Sequence, residues 1–426
     1  MLRSFLQGLL SFFSKRIIKK YRPDIIGITG SVGKTSTKEA TAIVLSCRFN
    51  VRKSAKNYNN EIGVPLTILG FDKSPGRSIW GWLKVFVVGF KLILIKDKKY
   101  PDILVLEMGA DKPGDIKNLV ELALPKVGVW TSIAHVHTEF FKTLKKIVLE
   151  KREIISSLSH DGYAVVNFDD VYVMENIDKT KAEIFTYGFK EGADLRASQI
   201  NLLEDENGPK GLNFKVFHKG NTVPVFLNGV VAEHLIPSCL AGLAVGLVFG
   251  VNLVDGAEEL KKLEPISGHM RILTGIKNTL LIDDTYNSSP KAARSALDTL
   301  AKLKTISDRY AVLGDMLELG TETENAHREV GFKVSELGID YLVTVGEASK
   351  NTALSAKEAG MSEDKIYSFA DSVSAGKFLQ EKIKEKDILL VKGSQSIRTE
   401  KIVKELMAEP LRAKELLVRQ EEAWNK

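Results

Sequence analysis

The sequence predicts an α/β protein whose strands and helices alternate along the chain, the pattern of a doubly wound and mostly parallel sheet. Two observations carry this prediction. Short apolar runs are followed by helix-length segments over most of the chain, and a glycine-rich turn joins the first run, residues 24–29, to a helix-forming segment. A length of 426 residues corresponds to about two or three domains. We therefore expect a central domain with a phosphate-binding loop (P-loop) and a C-terminal Rossmann-like domain.

Four apolar runs predict parallel strands of the central domain, at residues 24–29, 102–109, 127–133 and 163–170. Between Leu195 and Leu227 the runs become shorter and are separated by turns, which predicts an antiparallel patch on the flank of the sheet. Strands followed by helices resume in "TLLIDDTY", "RYAVLGD", "YLVTVG" and "DILLVKGS". We therefore divide the chain into a short basic amphipathic segment (1–24), a central domain (25–266) and a C-terminal domain (267–426), with "LEPISGHMR" as the hinge.

The composition narrows the class of protein. The 60 lysines and arginines exceed the 54 aspartates and glutamates by a small margin, and they are not interleaved with aromatic residues as on a base-stacking surface. We expect no nucleic-acid partner, whereas anionic substrates or a membrane surface suit the charge. The cysteines are Cys47 and Cys239 alone, which argues against a disulfide framework, a zinc ribbon or an iron–sulfur site. This usage is typical of a protein in a reducing cytoplasm.

Two segments combine apolar side chains at helical spacing with basic residues. The N-terminal segment places Phe5 and Phe13 before a basic cluster, and no small-residue cleavage site of a signal peptide follows. Residues 79–95 form a second apolar run, which carries Lys84 and Lys91 and is too short and too charged for a membrane span. We expect both segments to be helices packed on the protein. The alternative is interfacial contact with an anionic bilayer, at the inner face of the membrane.

The turn in "GITGSVGKTSTKEA" has the residue types of a phosphate-binding loop, although Ile28 stands where a strict Walker A motif has glycine. The strand before it and the helix after it would aim backbone N–H groups at phosphate oxygens. Lys34 would neutralise the β and γ phosphates of a nucleotide, and the Thr35 hydroxyl would ligate Mg²⁺. The predicted nucleotide-binding residues are Gly30, Ser31, Val32, Gly33, Lys34, Thr35 and Ser36.

Further polar residues fall where the predicted strands end. Glu107 ends the second apolar run, and His135, His137 and Glu139 follow the third. A carboxylate beside an imidazole can complete a second Mg²⁺ site, and two cations can clamp a transferring phosphoryl group. Lys151 lies on a predicted helix, and by itself it would be assigned to the solvated surface.

Several separate motifs resemble those of the ATP-dependent Mur ligases, most closely the type that adds D-alanyl-D-alanine. They are "TGSVGKTS", "NYNNEIGVPLTIL", "LEMGADKPGDI", "IAHVHTEFF", "DDTYNSSP", "LGDMLELG" with His327 after it, and "KGSQSIRTE". The phosphate loop of this family is Gly-x-x-Gly-Lys-Thr/Ser and has no requirement for glycine at position 28. The resemblance extends from Ile25 to about Ala408.

The resemblance implies a role for each matched residue. Lys34, Glu107, His137 and Lys151 would be catalytic, and two Mg²⁺ ions would be held by Thr35, Glu107, His137 and Lys151, the last as a carbamate formed with carbon dioxide. ATP would be bound by residues 30–36, by His234 and by Arg271 of the C-terminal domain. The expected substrate contacts are Asn57, Asn59, Asn60, Asp284, Tyr286, Asn287, Lys392 and Ser394, with residues 284–287 at the cleft between the domains.

The sequence departs from the family pattern at two places. The family's His-Asn-x-x-Asn helix is here His234-Leu235-Ile236-Pro237-Ser238, so both asparagines are replaced, including the one that contacts adenine. Members of this type also carry an N-terminal domain that holds the uridine diphosphate sugar, whereas only residues 1–24 precede the phosphate-loop strand here. The resemblance therefore implies that the domain which binds uridine diphosphate is largely missing and that the carrier end of the substrate is held differently.

The resemblance implies an amide-forming ligase of peptidoglycan precursor synthesis. The carboxylate of a UDP-N-acetylmuramoyl-tripeptide would attack the γ-phosphate of ATP, and the amine of D-Ala-D-Ala would displace phosphate from the acyl phosphate. We expect the enzyme to be a cytoplasmic monomer. The alternatives are a sister ligase that uses another amine, of the diaminopimelate-adding or folylpolyglutamate type, a ligase with a lipid-linked acceptor, and a membrane-associated P-loop NTPase without ligase activity.

Overall fold

The computed structural model describes residues 2–55, 58–134, 141, 143–205, 208–421 and 424, with side chains from Phe5 onward. The chain divides into two compact units. The first consists of Met1–Ile200, Asn213–Phe226 and His234–Leu263, and the second of Asn201–Leu212, Leu227–Glu233 and Glu264–Lys426. The domain boundaries expected from the sequence, after residues 24 and 266, stay predictions.

The chain up to Leu263 forms one large sheet with helices. The strands are β1 (Asp24–Thr29), β2 (Val51–Lys53), β3 (Ile103–Glu107), β4 (Val127–Trp130), β5 (Tyr163–Asn167), β6 (Glu183–Gly188), β7 (Leu195–Asp205), β8 (Gly208–His218) and β9 (Asn221–Asn228). The helices are α1 (Leu2–Tyr21), α2 (Lys34–Leu45), α3 (Gly63–Leu69), α4 (Ile79–Leu94), α5 (Asp115–Leu122), α6 (Leu144–Ser156), α7 (Val171–Met174), α8 (Ile236–Val248) and α9 (Leu253–Glu259). The sheet order is β2-β3-β1-β4-β5-β6-β7-β8-β9.

The position of β1 decides where a ligand site can form. β1 pairs in parallel with β3 on one side and with β4 on the other, and its residues after Asp24 are buried, as expected for a strand covered on both faces. Ile28 is one of these buried strand residues, opposite Glu107. The chain leaves β1 towards the β2 edge and returns to β4 on the other side, so the carboxyl ends of β1, β3 and β4 flank a switch point of the sheet.

The strand predictions for the central domain are confirmed with changes at their ends. The first strand has the predicted bounds, whereas the next three stop at Glu107, Trp130 and Asn167, because the polar residues after them turn into loops. The strands β2 and β6 were not predicted. In the flanking patch, Lys219 and Gly220 between β8 and β9 both have positive φ, the two-residue turn that joins antiparallel strands.

The chain from Arg271 onward forms a second, six-stranded sheet. Its strands are β10 (Arg271–Thr274), β11 (Leu280–Asp284), β12 (Arg309–Gly314), β13 (Tyr341–Val345), β14 (Ile366–Phe369) and β15 (Ile388–Lys392), and its helices are α10 (Pro290–Lys302), α11 (Thr323–Glu336), α12 (Lys350–Glu358), α13 (Ser372–Lys382), α14 (Glu400–Leu406) and α15 (Ala413–Leu416). The order is β10-β11-β15-β12-β13-β14, with β10 antiparallel at the edge and the other pairs parallel. This arrangement confirms the Rossmann-like prediction, and all four predicted strands are present.

The helices expected at both amphipathic segments are present as α1 and α4. In the first unit, α2 and α8 pack closely because Gly242 of α8 faces the backbone of α2: a Cβ at this position would lie 2.9 Å from the carbonyl carbon of Ala40. Within the part of the chain that is described, no helix is long and apolar enough to cross a membrane.

Candidate active site

Two glycines give the loop between β1 and α2 its shape. Gly33 has φ 85°, in the left-handed region, and it precedes the first residue of α2. Gly30 has φ 153°, and a Cβ there would lie 1.9 Å from Oγ1 of Thr131. A side chain at either position would strain the backbone or displace the end of β4. The spacing of the two glycines therefore follows from the fold of the loop.

The N-terminus of α2 is open to an anion. Gly33 is the N-cap residue, so no side chain accepts hydrogen bonds from the N–H groups of the first turn. The Lys34 ammonium group donates to the carbonyl oxygen of Gly30 at 2.9 Å. Burial lowers the pKa of Lys34, although the nearby carboxylates of Glu107 and Asp111 act in the opposite direction. Free N–H groups, a helix dipole and a desolvated amine are the groups that a phosphate would satisfy.

Residues after β4 hold the loop in place. The Thr131 hydroxyl donates to the carbonyl oxygen of Val32 at 2.6 Å, and the N–H of Ser31 donates to the carbonyl oxygen of Ser132 at 2.7 Å. Thr131 is buried, so these bonds are shielded from water. The conformation of the loop is thus fixed by its own unit before any ligand binds.

Glu107, the last residue of β3, is the centre of a buried polar cluster. Its side chain is 2% exposed and accepts hydrogen bonds from the Thr35 hydroxyl at 3.0 Å and from Nδ2 of Asn59 at 3.1 Å. Oε2 also lies 3.9 Å from the ammonium group of Lys38. Three elements that are distant in sequence, β3, α2 and the Asn59 loop, therefore meet at one carboxylate.

Lys38 is a part of this cluster that sequence reasoning missed. Its side chain is 0% exposed, and it lies near Glu39 at 3.4 Å as well as near Glu107. It stands one helical turn after Lys34, and a lysine on the buried side of a helix is uncommon unless it is paired. The only signal available in the sequence was this i, i+4 spacing, which does not say which face of the helix is buried.

Lys151 lies on α6 and is 4% exposed, so it is not the solvated surface lysine that its place on a helix would suggest by itself. No hydrogen bond or ion pair joins its amine to another described residue. Burial, and next the positive charge of Lys34, lower the pKa of Lys151 to about 7. The neighbouring Glu150 accepts hydrogen bonds from the N–H groups of Gly114 and Ile116, both at 2.7 Å. Glu150 thus ties α6 to the start of α5 and fixes where Lys151 points.

The donor groups fit a nucleotide with Mg²⁺. Thr35 and Glu107 offer hard oxygen atoms 3.0 Å apart beside the phosphate loop. Mg²⁺ in nucleotide sites is held by one or two carboxylates together with phosphate oxygens and water. No group of three acidic, imidazole or thiol side chains that could hold a metal occurs among the residues that are described. His137, the expected second-metal ligand, and its neighbours His135 and Glu139 lie outside the described residues.

Comparison with known proteins decides the family. The family model described as Mur ligase middle domain matches residues 28–79 and 87–246, and the one described as Mur ligase, glutamate ligase domain matches residues 269–395. A UDP-N-acetylmuramoyl-tripeptide–D-alanyl-D-alanine ligase of Escherichia coli is 30% identical over 387 residues, which cover 90% of this chain and 76% of that protein. The chain belongs to the Mur ligase family.

Other Mur ligases agree over similar lengths. The enzyme of the same name from Bacillus subtilis is 28% identical over 402 residues, 94% of this chain and 80% of that protein. The crystal structure of a MurF ligase from Thermotoga maritima in complex with ADP superposes with a TM-score of 0.75 at 26% identity and covers 94% of this chain and 83% of that one. These matches confirm three predictions: the resemblance to the Mur ligases, the fold class, and the assignment to ATP-dependent ligases that form a carbon–nitrogen bond.

The other residues of the first unit that the Mur ligase motifs indicate differ in their contacts. Asn59 contacts Glu107, as described above, whereas Oδ1 of Asn60 accepts from the N–H groups of Ile62 and Gly63 and caps the start of α3. Asn57 lies outside the described residues. His234 is exposed, in a turn just before α8. Ser238 of α8 is buried, and its hydroxyl donates to the carbonyl oxygen of Gly33 at 3.4 Å, so α8 touches the phosphate loop at this point.

In the second unit, the structure brings most of the expected substrate residues together at the ends of β11 and β15. Asp284 and Lys392 are register partners on these strands and form a buried ion pair of 2.6 Å. The Lys392 ammonium group also donates to the carbonyl oxygen of Asn287 at 2.9 Å. The Tyr286 ring stacks on His269 with 4.6 Å between ring centroids. The loop of residues 285–287, here called the β11 loop, is therefore held on both sides.

Arg271 lies at the start of β10, and its Nη1 donates to the Ser267 hydroxyl at 3.3 Å. Across from it, Asp283 is 0% exposed and accepts from the Gly268 N–H at 2.9 Å and from the Thr285 hydroxyl at 2.6 Å. Burial raises the pKa of Asp283 to about 6, despite these hydrogen bonds. Asp283 thus joins the segment that was predicted as a hinge to the β11 loop, a role that the motif alone did not indicate.

Arg419 is a second residue of this site that the sequence did not reveal. Its guanidinium group is buried, and it donates to the carbonyl oxygens of Thr285 and Tyr286 while it pairs with Glu400 at 3.1 Å. Glu400 is 0% exposed and also pairs with Arg398. Arg419, close to the C-terminus, therefore holds the β11 loop through two of its carbonyl oxygens.

Ser394 and His327 have structural partners in the second unit. The Ser394 hydroxyl accepts from the Leu317 N–H at 2.9 Å. His327 is buried on α11, where its Nε2 accepts from the Met316 N–H at 3.0 Å and its Nδ1 donates to the carbonyl oxygen of Thr323 at 2.6 Å. This pattern assigns the proton of the neutral imidazole to Nδ1. Both residues shape the loop that follows β12.

Proposed function

We propose that this chain joins D-alanyl-D-alanine to a UDP-N-acetylmuramoyl-tripeptide with ATP, in the synthesis of peptidoglycan precursors. The supporting observation is the phosphate loop, with Lys34 hydrogen-bonded across it and Thr35 and Glu107 beside it, in a chain that ligases of this name match over about nine tenths of its length. We place the reaction in the cytoplasm and propose a monomer, for which light scattering should give the mass of one chain, 47.1 kDa.

In the first step, a carboxylate oxygen of the tripeptide attacks the γ-phosphorus of ATP, the bond from that phosphorus to the β–γ bridging oxygen breaks, and ADP leaves. The N–H groups of the first turn of α2 and the ammonium group of Lys34 hold the β and γ phosphates and offset their charge. Bound Mg²⁺ would add positive charge at the same phosphates, with Thr35 and Glu107 as its ligands. Phosphoryl transfer of this kind depends on position and charge, which these groups supply.

In the second step, the amine nitrogen of D-Ala-D-Ala attacks the acyl carbon, the carbon–oxygen bond to phosphate breaks, and the amine proton is released to solvent or a base. We propose that the substrates contact the residues that the Mur ligase motifs indicate. These are Asn57, Asn59, Asn60, Asp284, Tyr286, Asn287, Lys392 and Ser394, and the nucleotide in addition contacts His234 and Arg271.

We also propose that Lys151 carries a carbamate and that, with His137, it holds a second Mg²⁺. The burial of Lys151, the lack of a described partner for its amine and the anchoring of α6 by Glu150 support this. Carbon dioxide reacts with a neutral amine, and the lowered pKa leaves much of the amine neutral at neutral pH. Carbon dioxide adds to this neutral amine with loss of one proton to solvent, and the carbamate that results is an anion, so Lys34 would then face an opposite charge.

The ligase activity is tested with purified protein, ATP, Mg²⁺, the UDP-linked tripeptide and D-Ala-D-Ala. We expect phosphate release that depends on both the acid and the amine, together with a product heavier by the dipeptide less one water. Diaminopimelate with a UDP-linked dipeptide, and glutamate with a folate, serve as comparison pairs. ATP hydrolysis that is indifferent to D-Ala-D-Ala, or faster turnover of a comparison pair, would contradict the proposal.

The carbamate is tested with Lys151→Ala beside Lys146→Ala, because Lys146 is an exposed lysine on the same helix. We expect Lys151→Ala to lose activity by about 10²-fold or more, as for removal of one charge-stabilising group, and to regain part of it with added formate or acetate. Lys146→Ala should behave as the parent protein. Removal of bicarbonate should lower the activity of the parent and of Lys146→Ala, and should not lower that of Lys151→Ala further. Unchanged activity in Lys151→Ala would refute the carbamate and leave the ligase assay unaffected.

A further inference from the structure

The helices α1 and α4 of the first unit expose a band of large apolar side chains. On α4 the inner face is buried through Val85, Gly89 and Leu92, whereas Trp80 and Leu94 of the outer face are 81% and 78% exposed. We call the band the α1–α4 surface; it consists of Phe5, Phe12, Ile79, Trp80, Leu83, Val87, Phe90 and Leu94. The α4 members recur every three or four residues, so they form a continuous stripe along the helix.

The α1–α4 surface is rigidly supported. Phe13 of α1 packs against Gly89, where a Cβ would lie 2.8 Å from its ring, and its ring meets that of Phe90 edge-on with 4.9 Å between centroids. The Lys20 ammonium group donates to the carbonyl oxygens of Leu92 and Ile93 and thereby satisfies the end of α4. Because α4 is fixed on both its inner face and its C-terminus, the apolar stripe is a stable feature of the fold.

The two chain segments that carry this surface have charged side chains of one sign. Residues 1–23 and 73–96 contain eleven lysines and arginines and no aspartate or glutamate. The rest of the chain carries 49 lysines and arginines against 54 aspartates and glutamates, so the positive net charge of the protein resides in the segments of α1 and α4. Lys84 and Lys91 are exposed between the apolar residues of α4, and Lys15, Arg16 and Lys19 are exposed on α1.

We propose that the α1–α4 surface binds the interface of an anionic lipid bilayer, with the apolar stripe at the boundary of the acyl chains and the basic side chains on lipid phosphates. An apolar face flanked by lysines, without acidic residues, has the composition of helices that lie in the plane of a membrane. A second copy of this chain is a poorer occupant, because it would place lysines of equal charge against one another. This inference goes beyond the ligase reaction and does not depend on which amine is added.

The test measures binding of the full chain to phosphatidylcholine vesicles with and without phosphatidylglycerol. We expect flotation with the anionic vesicles alone, weakened by salt, and a blue shift of tryptophan fluorescence that is absent in Trp80→Phe. The double variant Lys84→Gln/Lys91→Gln should bind about 30-fold more weakly, equivalent to about 1 kcal/mol for each lysine. Its ligase activity on a water-soluble acceptor should be unchanged, because neither lysine belongs to the catalytic machinery.

The matched control is Lys261→Gln/Lys262→Gln, which removes the same charge from two exposed lysines of the first unit. It should bind anionic vesicles as the parent does. Equal losses in both double variants, equal binding to neutral and anionic vesicles, or a concentration-dependent dimer without vesicle binding would each overturn the proposal. A folded but non-binding parent protein would overturn it as well, and circular dichroism of each variant confirms that the comparison is between folded proteins.

Discussion

The phosphate loop of the first unit and the β11 loop of the second unit both follow the carboxyl end of a parallel strand, yet they treat their charges differently. In the β11 site each named charge has a protein partner: Asp284 pairs with Lys392, and Glu400 with Arg419. In the phosphate-loop site, the hydrogen bonds of the Lys34 amine to described residues go to backbone carbonyl oxygens, and burial lowers the pKa values of both Lys34 and Lys151.

The first site therefore favours the binding of a negatively charged group, whereas the paired charges of the second site fix the conformation of its loop. Desolvated amines disfavour their own ionised forms, and a bound triphosphate or a carbamate would relieve that cost. Charges that are already paired need no ligand to offset them. The β11 site therefore presents its backbone and side chains to a substrate in a fixed arrangement. We therefore expect substitutions in the first site to affect activity and substitutions in the second to affect stability first.

The largest expected effect is the loss of activity in Lys34→Ala. We expect a fall of about 10²- to 10³-fold in kcat, since the amine offsets phosphate charge that develops in the transition state. The thermal midpoint should not fall, because the folded protein loses a desolvated amine. Lys117→Ala, at an exposed lysine on α5, is the matched control and should leave both quantities unchanged. A drop in the thermal midpoint with kcat intact would reverse the proposed contrast.

The second site should respond through stability in Arg419→Ala. This change leaves Glu400 with one partner fewer and removes one hydrogen-bond donor from each of the carbonyl oxygens of Thr285 and Tyr286. We expect a loss of about 3 kcal/mol in the unfolding free energy, as for other broken buried pairs, measured by urea denaturation. Arg412→Ala should have no measurable effect, since Arg412 pairs with Glu409 and Glu415 on the exposed surface. Equal effects of the two changes would contradict a supporting role for Arg419.

The two sites also differ in how far the sequence predicted them. The phosphate loop was predictable because its shape is local: Gly30 and Gly33 supply backbone angles that other residues avoid, next to a strand and a helix. Asp284 and Lys392 were reached through motifs at strand ends. Arg419 could not be, because 134 residues separate it from Thr285 and no local pattern links them.

The other differences between the sequence prediction and the structure have two causes, the burial of helix residues and the shortness of some strands. Lys38 and Lys151 lie on helices whose buried faces are set by packing against other elements, so helical spacing alone did not show that either lysine is buried. The strands β2 and β10 have three and four residues, too few for an apolar period to be recognised. The fold class did not depend on such details, because the alternation of buried strands and helices carried it.

The buried Asp283 carboxyl makes the free energy of unfolding depend on pH. Burial raises its folded pKa to about 6 from an ordinary value of 3.8, so between these values the folded state holds a proton that the unfolded state has lost. Stability therefore falls as the pH rises from about 4 to 6, by about 3 kcal/mol, and stays lower above it. Urea denaturation at several pH values should show this slope in the parent and a flatter one in Asp283→Asn. If stability between pH 4 and 6 changed equally in the parent and in Asp283→Asn, or rose more in the parent than in the variant, the assignment would be contradicted.

The smallest effect is expected from Ser238→Ala, which tests whether side chains of α8 contribute to the phosphate loop. The Ser238 hydroxyl reaches the Gly33 carbonyl oxygen at 3.4 Å, long for a hydrogen bond between these groups. Its removal should change the dissociation constant of ATP by less than about threefold, within the modest net value of such a bond. A loss beyond about tenfold in equilibrium binding would mean that α8 also fixes the loop, and preorganisation would then depend on residues far from the glycines in sequence.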